Sequence, residues 1–526
     1  MTSTVESFIT ETTDRARPLE KAFTLAEWEA ATLGTPEAIQ AQRAAQTAYM
    51  RFWADPLRLR TAKELIASGA AQDALAARQL RVIYLTSALH QQDEATLEEI
   101  AQVESEVRER YFNFRALVDG QALNDNQIDD ILLKTSDPAE ARRTWEGSKQ
   151  VGAEVAGRVR QLARLRNRGA QAHGFRDHFH RSLTLSEIDE TELLEIFDDL
   201  ERQSRRPFEE VKAAIDRSRS ARFGVPTEDL RPWHYSNRFF QKPDPLGEVD
   251  LDGLFTGHDP VALATATYDG LGIDVRPVLA RSDLYPRDGK NQHAFSTHID
   301  RQGDIRTLNN LQPNERWTET LHHELGHAVY EMYLDPSLPW LLSAPAHILS
   351  TEAIATLMGD VTREEEWLTG VLGVPPAQAA PVAAAARQRS RAILLVFTRW
   401  CLVMTHFERG LYADPEADLD TLWWDLVERY QGIRRPEGRH APDWAAKIHV
   451  ALAPVYYHNY ELGSLVRAQL RVHLQRQVGG IVGRRQAGSW LIEHVFRPGA
   501  RLDWAQHIAA ATGEALTPRY FIEAMA

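Results

Sequence analysis

Along most of the chain apolar residues recur at spacings of three and four, the period of an amphipathic helix. From Pro18 to about Ser220 this pattern is almost wholly helical and rich in Ala, Leu, Glu, Gln and Arg, with Leu80 to Leu89 and Glu192 to Leu200 as clear cases. Gly34-Thr-Pro36, Ser136-Asp-Pro138 and Gly174 punctuate it into helices of ordinary length. Arg108, Arg202 and the run from Arg217 to Arg222 fall among polar positions and are expected in solvent. Between Phe223 and Leu311 glycine and proline are frequent and the apolar runs shorten. There Gln292 to Asp300 and Asp304 to Leu311 flank Arg301-Gln-Gly303, which predicts two strands and a tight turn. Such a hairpin is either structural or offers its edge to an extended peptide by strand addition. Helical spacing resumes at Trp317, is broken at Asp335-Pro-Ser-Leu-Pro339, and starts again at Ala346 to Met358.

Inside the segment from Trp317 to Tyr330 lies His323-Glu-Leu-Gly-His327. Residues i and i+4 of a helix share one face, so His323 and His327 can hold one metal ion from the same side. Glu324 follows the first histidine, where a carboxylate reaches a water on the metal without being a ligand; that is the place of a general base for hydrolysis. Leu321, Leu325, Ala328 and Val329 make an apolar stripe, so the helix is expected to be buried while carrying polar groups that need partners. A hydrolytic zinc site takes three protein ligands. Glu352, on the next predicted helix, is the best placed third; Glu364, Glu365 and Glu366 are alternatives, in an acidic run that looks like a solvated turn.

Composition narrows the function without changing the fold. The 526 residues are 43 % hydrophobic and 25 % charged, ordinary for a chain with a large core. One domain spanning 1–526 is expected, with a helical lid and first half over 1–220 and the zinc-bearing half over 221–526. A net charge of -14 argues against nucleic acid or an anionic membrane as partner. The amino terminus lacks the pattern of a signal peptide and no stretch approaches a spanning helix, so a cytoplasmic location is expected. Cys401, the one cysteine, falls in an apolar helical segment and is expected to be buried.

Four segments then identify a resemblance to the angiotensin-converting-enzyme family of zinc peptidyl-dipeptidases, in its single-domain bacterial form. They are His293-Ala294, thirty residues before His323; His322-His-Glu-Leu-Gly-His327 with Glu352-Ala-Ile354; Trp423-Trp424 with Tyr430-Gln-Gly432; and Asp443-Trp-Ala-Ala-Lys-Ile-His449 followed by Tyr457-His-Asn-Tyr460. The resemblance implies a mainly α, gluzincin-type fold with a deep groove between two helical halves and a small hairpin near the zinc. It implies Zn2+ on His323, His327 and Glu352, with Glu324 as base and Tyr460 as donor to the oxyanion. His293 and His449 would bind a substrate carbonyl, Ala294 would pair through its main chain, and Lys447 and Tyr457 would hold the C-terminal carboxylate. The implied reaction is release of C-terminal dipeptides from oligopeptides. The alternatives are a zinc oligoendopeptidase or carboxypeptidase of related fold, and a non-proteolytic hydrolase of a small amide.

Three positions depart from the family. Thr356 stands where an aspartate orients a zinc histidine, so a backbone carbonyl or Asp360 is expected to replace it. Val427 and Asn459 stand where arginines bind chloride. One extra residue precedes Tyr457, which leaves Tyr456 as its rival.

Overall fold

The structure is a computed structural model and describes residues 4–91, 93–243 and 251–525. Among these residues the chain forms 22 α-helices and two small antiparallel hairpins, a mainly α fold. It divides into two compact units, each assembled from separated stretches: residues 1–91, 249–387 and 462–526 in the first, and 92–248 and 388–461 in the second.

In the first unit the predicted break at Gly34-Thr-Pro36 is a helix end and a helix start in three residues. Gly34 closes helix Val5–Leu33 in the left-handed region at φ 64°, and the Thr35 side chain caps helix Pro36–Trp53, whose first residue is Pro36. These helices bury Val5, Ile9, Phe52 and Trp53 against Leu80, Ile83, Trp340 and Leu341. The predicted hairpin is present and shorter than its pattern, with strands Phe295–His298 and Ile305–Leu308 in antiparallel register, Phe295 opposite Leu308. Arg301 takes φ 52° in its turn, where the Asp300 side chain accepts from the Gln302 and Asp304 amides. The hairpin packs on helix Glu315–Met332.

In the second unit the long helix Pro138–Ala172 is the centre. Trp145 on it meets Trp233 and Trp424 with ring centres 6.1 and 6.2 Å apart. Around it pack helix Glu94–Asn113, the turn Asp443–Ala446 and a second hairpin, Ala116–Val118 with Gln121–Leu123. That hairpin corrects the almost wholly helical reading of the first 220 residues. Its Asp119-Gly120 turn has positive φ at both positions, the pair that joins strands most tightly.

Two further expectations change. Arg219, inside the run assigned to solvent, is buried, because it lies on the inward face of helix Glu190–Phe223. The acidic run at Glu364 to Glu366 opens a short helix, Glu365–Gly370, in which Glu365 and Glu366 are exposed as expected, while Glu364 is half-buried and pairs with Arg471 at 2.8 Å. Cys401 is buried as expected. Among the described residues no helix is long and apolar enough to cross a membrane.

Candidate metal centre and active site

Helix Glu315–Met332 is started by Asn314, whose side chain accepts from the Trp317 amide, and it buries Leu321, Leu325, Ala328 and Val329. Its neighbour, helix Ile348–Asp360, is capped by the His347 side chain and buries Leu349, Ala353, Ile354 and Leu357. The two cross closely at Gly326: a Cβ there would lie 2.7 Å from the Ala355 Cα and 3.2 Å from the Ile354 carbonyl oxygen. The glycine within the His-Glu-Leu-Gly-His run therefore sets the approach that brings Glu352 to the histidines.

His323, His327 and Glu352 converge, with one ligand atom of each within 4.8 Å of the others. The Glu352 carboxylate oxygens lie 3.7 Å from His323 Nε2 and 3.8 Å from His327 Nε2. Donors held tetrahedrally at zinc-ligand bond lengths are about 3.4 Å apart, so the carboxylate stands within a few tenths of an ångström of that spacing from each imidazole. Burial lowers both imidazoles, His323 to about 4 and His327 to about 3, and a neutral imidazole is the ligand form. Glu324 is pushed up to about 8 by burial and then by the neighbouring Glu352 and Glu319 charges, and its Oε2 is buried without a hydrogen-bond partner. Two neutral imidazoles beside carboxylates strained by their own charge are the donor set a dication fits.

The ring nitrogens facing away from Glu352 were not legible in the sequence. His327 Nδ1 meets Thr351 Oγ1 at 2.7 Å, which fixes that ring with Nε2 toward the triad. Asp360 acts on His323 through its charge, which raises that imidazole, while its own carboxylate is held by Arg467. His322, beside the triad, is fully buried and structural, bonded to Thr267 Oγ1 at 2.9 Å and to the Thr318 carbonyl at 2.7 Å. In the same unit His293 is exposed, its amide donating to Asn291 Oδ1, and Ala294 leads into strand Phe295–His298.

The second unit gathers the remaining residues. Lys447 is buried, donates to Gln241 Oε1 at 2.8 Å and is lowered to about 8 by burial and then by Arg238 and Lys242. His449 lies on helix Ile448–Leu452 with its ring 5.3 Å from that of Tyr457. Tyr457 and Tyr460 sit one turn apart on helix Tyr457–Val478, 5.6 Å between rings, and Tyr456 stacks on Tyr460 edge-on at 5.0 Å. Tyr457 is buried, whereas Tyr460 is 44 % exposed and open to a ligand. Val427, where the family carries a chloride-binding arginine, lines a small cavity with Trp423, Trp424 and the buried Lys149. Sequence reasoning passed over Lys149, since a lysine on a long helix is ordinarily solvated. Its ammonium donates to the Arg238 carbonyl at 3.0 Å and lies 3.3 Å from the centre of the Phe239 ring.

Two histidines one turn apart, a glutamate from the next helix and a buried glutamate beside them, on a mainly α scaffold, define a helical metallopeptidase. The sequence model of the angiotensin-converting enzyme family matches residues 1–223 and 284–517, and the chain belongs to that family. No curated protein matches it.

Proposed function

We propose that this protein is a zinc-dependent peptidyl-dipeptidase that releases C-terminal dipeptides from oligopeptides. The observation that carries the reading is the convergence of His323, His327 and Glu352 beside a buried, unpartnered Glu324 oxygen, in a chain of this family. Zinc, when bound there, supplies a Lewis acid for the scissile carbonyl and lowers the pKa of water. Glu324 takes the proton of the attacking water and delivers it to the leaving amine. The buried Oε2 of Glu324, with no hydrogen-bond partner in the protein, suits that role. The Tyr460 hydroxyl donates to the oxyanion of the tetrahedral intermediate. His293, Ala294 and His449 hold the substrate backbone. Lys447 and Tyr457 take its terminal carboxylate. A buried ammonium with one neutral partner, Gln241, supports the last assignment, since an incoming carboxylate relieves an uncompensated charge. We place the enzyme in the cytoplasm, acting on peptides rather than nucleic acid or membrane.

The test combines metal analysis with product analysis. His323→Ala should lose both zinc and turnover. Glu324→Gln should retain one zinc per chain and lose turnover by at least a hundredfold; full activity in that variant would end the proposed mechanism. Lys447→Met should slow hydrolysis of peptides with a free carboxyl terminus about ten- to a hundredfold, the worth of one charge-assisted hydrogen bond, and leave amidated peptides nearly unchanged. Equal loss on both substrates would favour a zinc oligoendopeptidase activity, the alternative reading.

A further inference from the structure

The turn that joins His449 to the two tyrosines is held in a costly conformation. Helix Ile448–Leu452 ends with the Ala453 amide donating to the His449 carbonyl at 2.9 Å, and four residues later helix Tyr457–Val478 begins. Between them Val455 takes φ 53°, the left-handed region, and is buried. A β-branched residue rarely adopts it, while a glycine would do so without strain. Such a conformation persists only where the surroundings determine it.

Here two buried polar side chains hold the segment. Val455 N–H donates to Glu408 Oε1 at 2.7 Å, and Glu408 on helix Pro376–Ala413 is 1 % exposed. Arg166, on helix Pro138–Ala172, donates through Nη2 to the Ala451 carbonyl at 2.6 Å. It is itself fixed by Glu104 Oε1 at 2.8 Å and the Tyr412 hydroxyl at 3.1 Å. Farther back on the helix of Glu408, Phe397 packs on Tyr460 and Trp400 on Tyr457, with ring centres 6.0 and 5.9 Å apart. One helix therefore holds both the turn and the rings that follow it.

We propose that Glu408 and Arg166 are positioning residues, which clamp the turn Ala451–Val455 at its two ends and so fix Tyr460 for the reaction. A turn needed only to change direction would be made more cheaply with glycine at 455 and no buried charge. Valine makes the turn stiff, and the Glu408 side chain, accepting from the Val455 amide, selects its one conformation. This inference rests on the assignment of Tyr460 to the oxyanion.

The test uses the full-length, zinc-loaded enzyme. Glu408→Asp, one methylene short of the Val455 amide, should lower kcat about a hundredfold, the cost of an ångström of misplacement, with KM and zinc content little changed. Glu408→Gln keeps an acceptor oxygen and should restore most of kcat. In a Tyr460→Phe background Glu408→Asp should cost less than threefold, because its effect passes through Tyr460. Equal losses in both backgrounds, or wild-type kcat in Glu408→Asp beside an impaired Tyr460→Phe, would overturn the inference alone. Wild-type activity in Tyr460→Phe would overturn the site assignment, and the inference with it. Should Glu408→Asp not fold, Val455→Gly loosens the turn while every buried polar group stays paired. A loss of kcat in Val455→Gly that vanishes in the Tyr460→Phe background supports the clamp, and no loss overturns it.

Discussion

Thr351 shows how a single hydroxyl governs a ligand that it does not itself replace. With Nδ1 of His327 bonded to Thr351 Oγ1, the imidazole has its plane fixed, and Nε2 faces the carboxylate of Glu352. Removing an oxygen that orients a zinc histidine costs about ten- to a hundredfold in metal affinity. Thr351→Val should therefore weaken zinc binding by that factor in competition with a chelator, with the fold intact, while Thr351→Ser should bind as the wild type does. Nothing in the sequence pointed to this residue. His323, His327 and Glu324 were legible because their spacing is local to one helix, and Glu352 because a third donor was required. The partner of a ring nitrogen depends on how two helices cross, and that is not written in either helix alone.

The crossing of those helices is decided at Gly326. The helix pattern from Trp317 to Tyr330 predicted the element, and the structure places it at Glu315–Met332. What the periodicity could not show is that the fourth residue of the motif lies against backbone rather than side chain. A methyl group at 326 would meet the Ala355 Cα at 2.7 Å, so Gly326→Ala must push helix Ile348–Asp360 outward. The expected result is destabilisation of about 1–3 kcal/mol, read as a lower urea midpoint, together with zinc lost more readily than in Thr351→Val because Glu352 itself retreats. Short elements were the other blind spot. The hairpin at Phe295–His298 and Ile305–Leu308 announced itself by its turn residues. The one at Ala116–Val118 had the same kind of signal in Asp119-Gly120, but its strands of three residues were overwhelmed by the helical pattern on both sides.

Over the whole molecule, buried titratable groups of two kinds set opposing pH dependences. Burial lowers His234, His298, His322, His406 and His449 to about 4. Each binds fewer protons folded than unfolded, so each contributes stability that is present above about pH 6.5 and is lost as pH falls toward 4. Burial raises Glu331 to about 7 and Glu408 to about 8. These bind more protons folded than unfolded, so their contribution is present at low pH and is lost as pH rises through 7 and 8. Among these groups the five histidines outweigh the two carboxyls below about pH 6.5, and the carboxyls set the slope between about pH 6.5 and 8. Thermal melts from pH 4 to 9 should therefore show a Tm maximum near neutrality, and Glu408→Gln should flatten the alkaline limb alone. A Tm that rises steadily across that range would contradict this balance.

The division into two interleaved units also bears on how the protein is made. The unit that carries His323, His327 and Glu352 takes its residues from 1–91, 249–387 and 462–526. Asp360 and Glu364, behind the triad, find Arg467 and Arg471 in the last of these stretches, and Leu349 presents its carbonyl to Gly463. On the ribosome, His323, His327 and Glu352 thus emerge more than a hundred residues before the helix that braces them. Completion of the His323, His327 and Glu352 cluster is in this sense a late event in biosynthesis, and a chain halted before residue 462 carries these side chains without the support that aligns them.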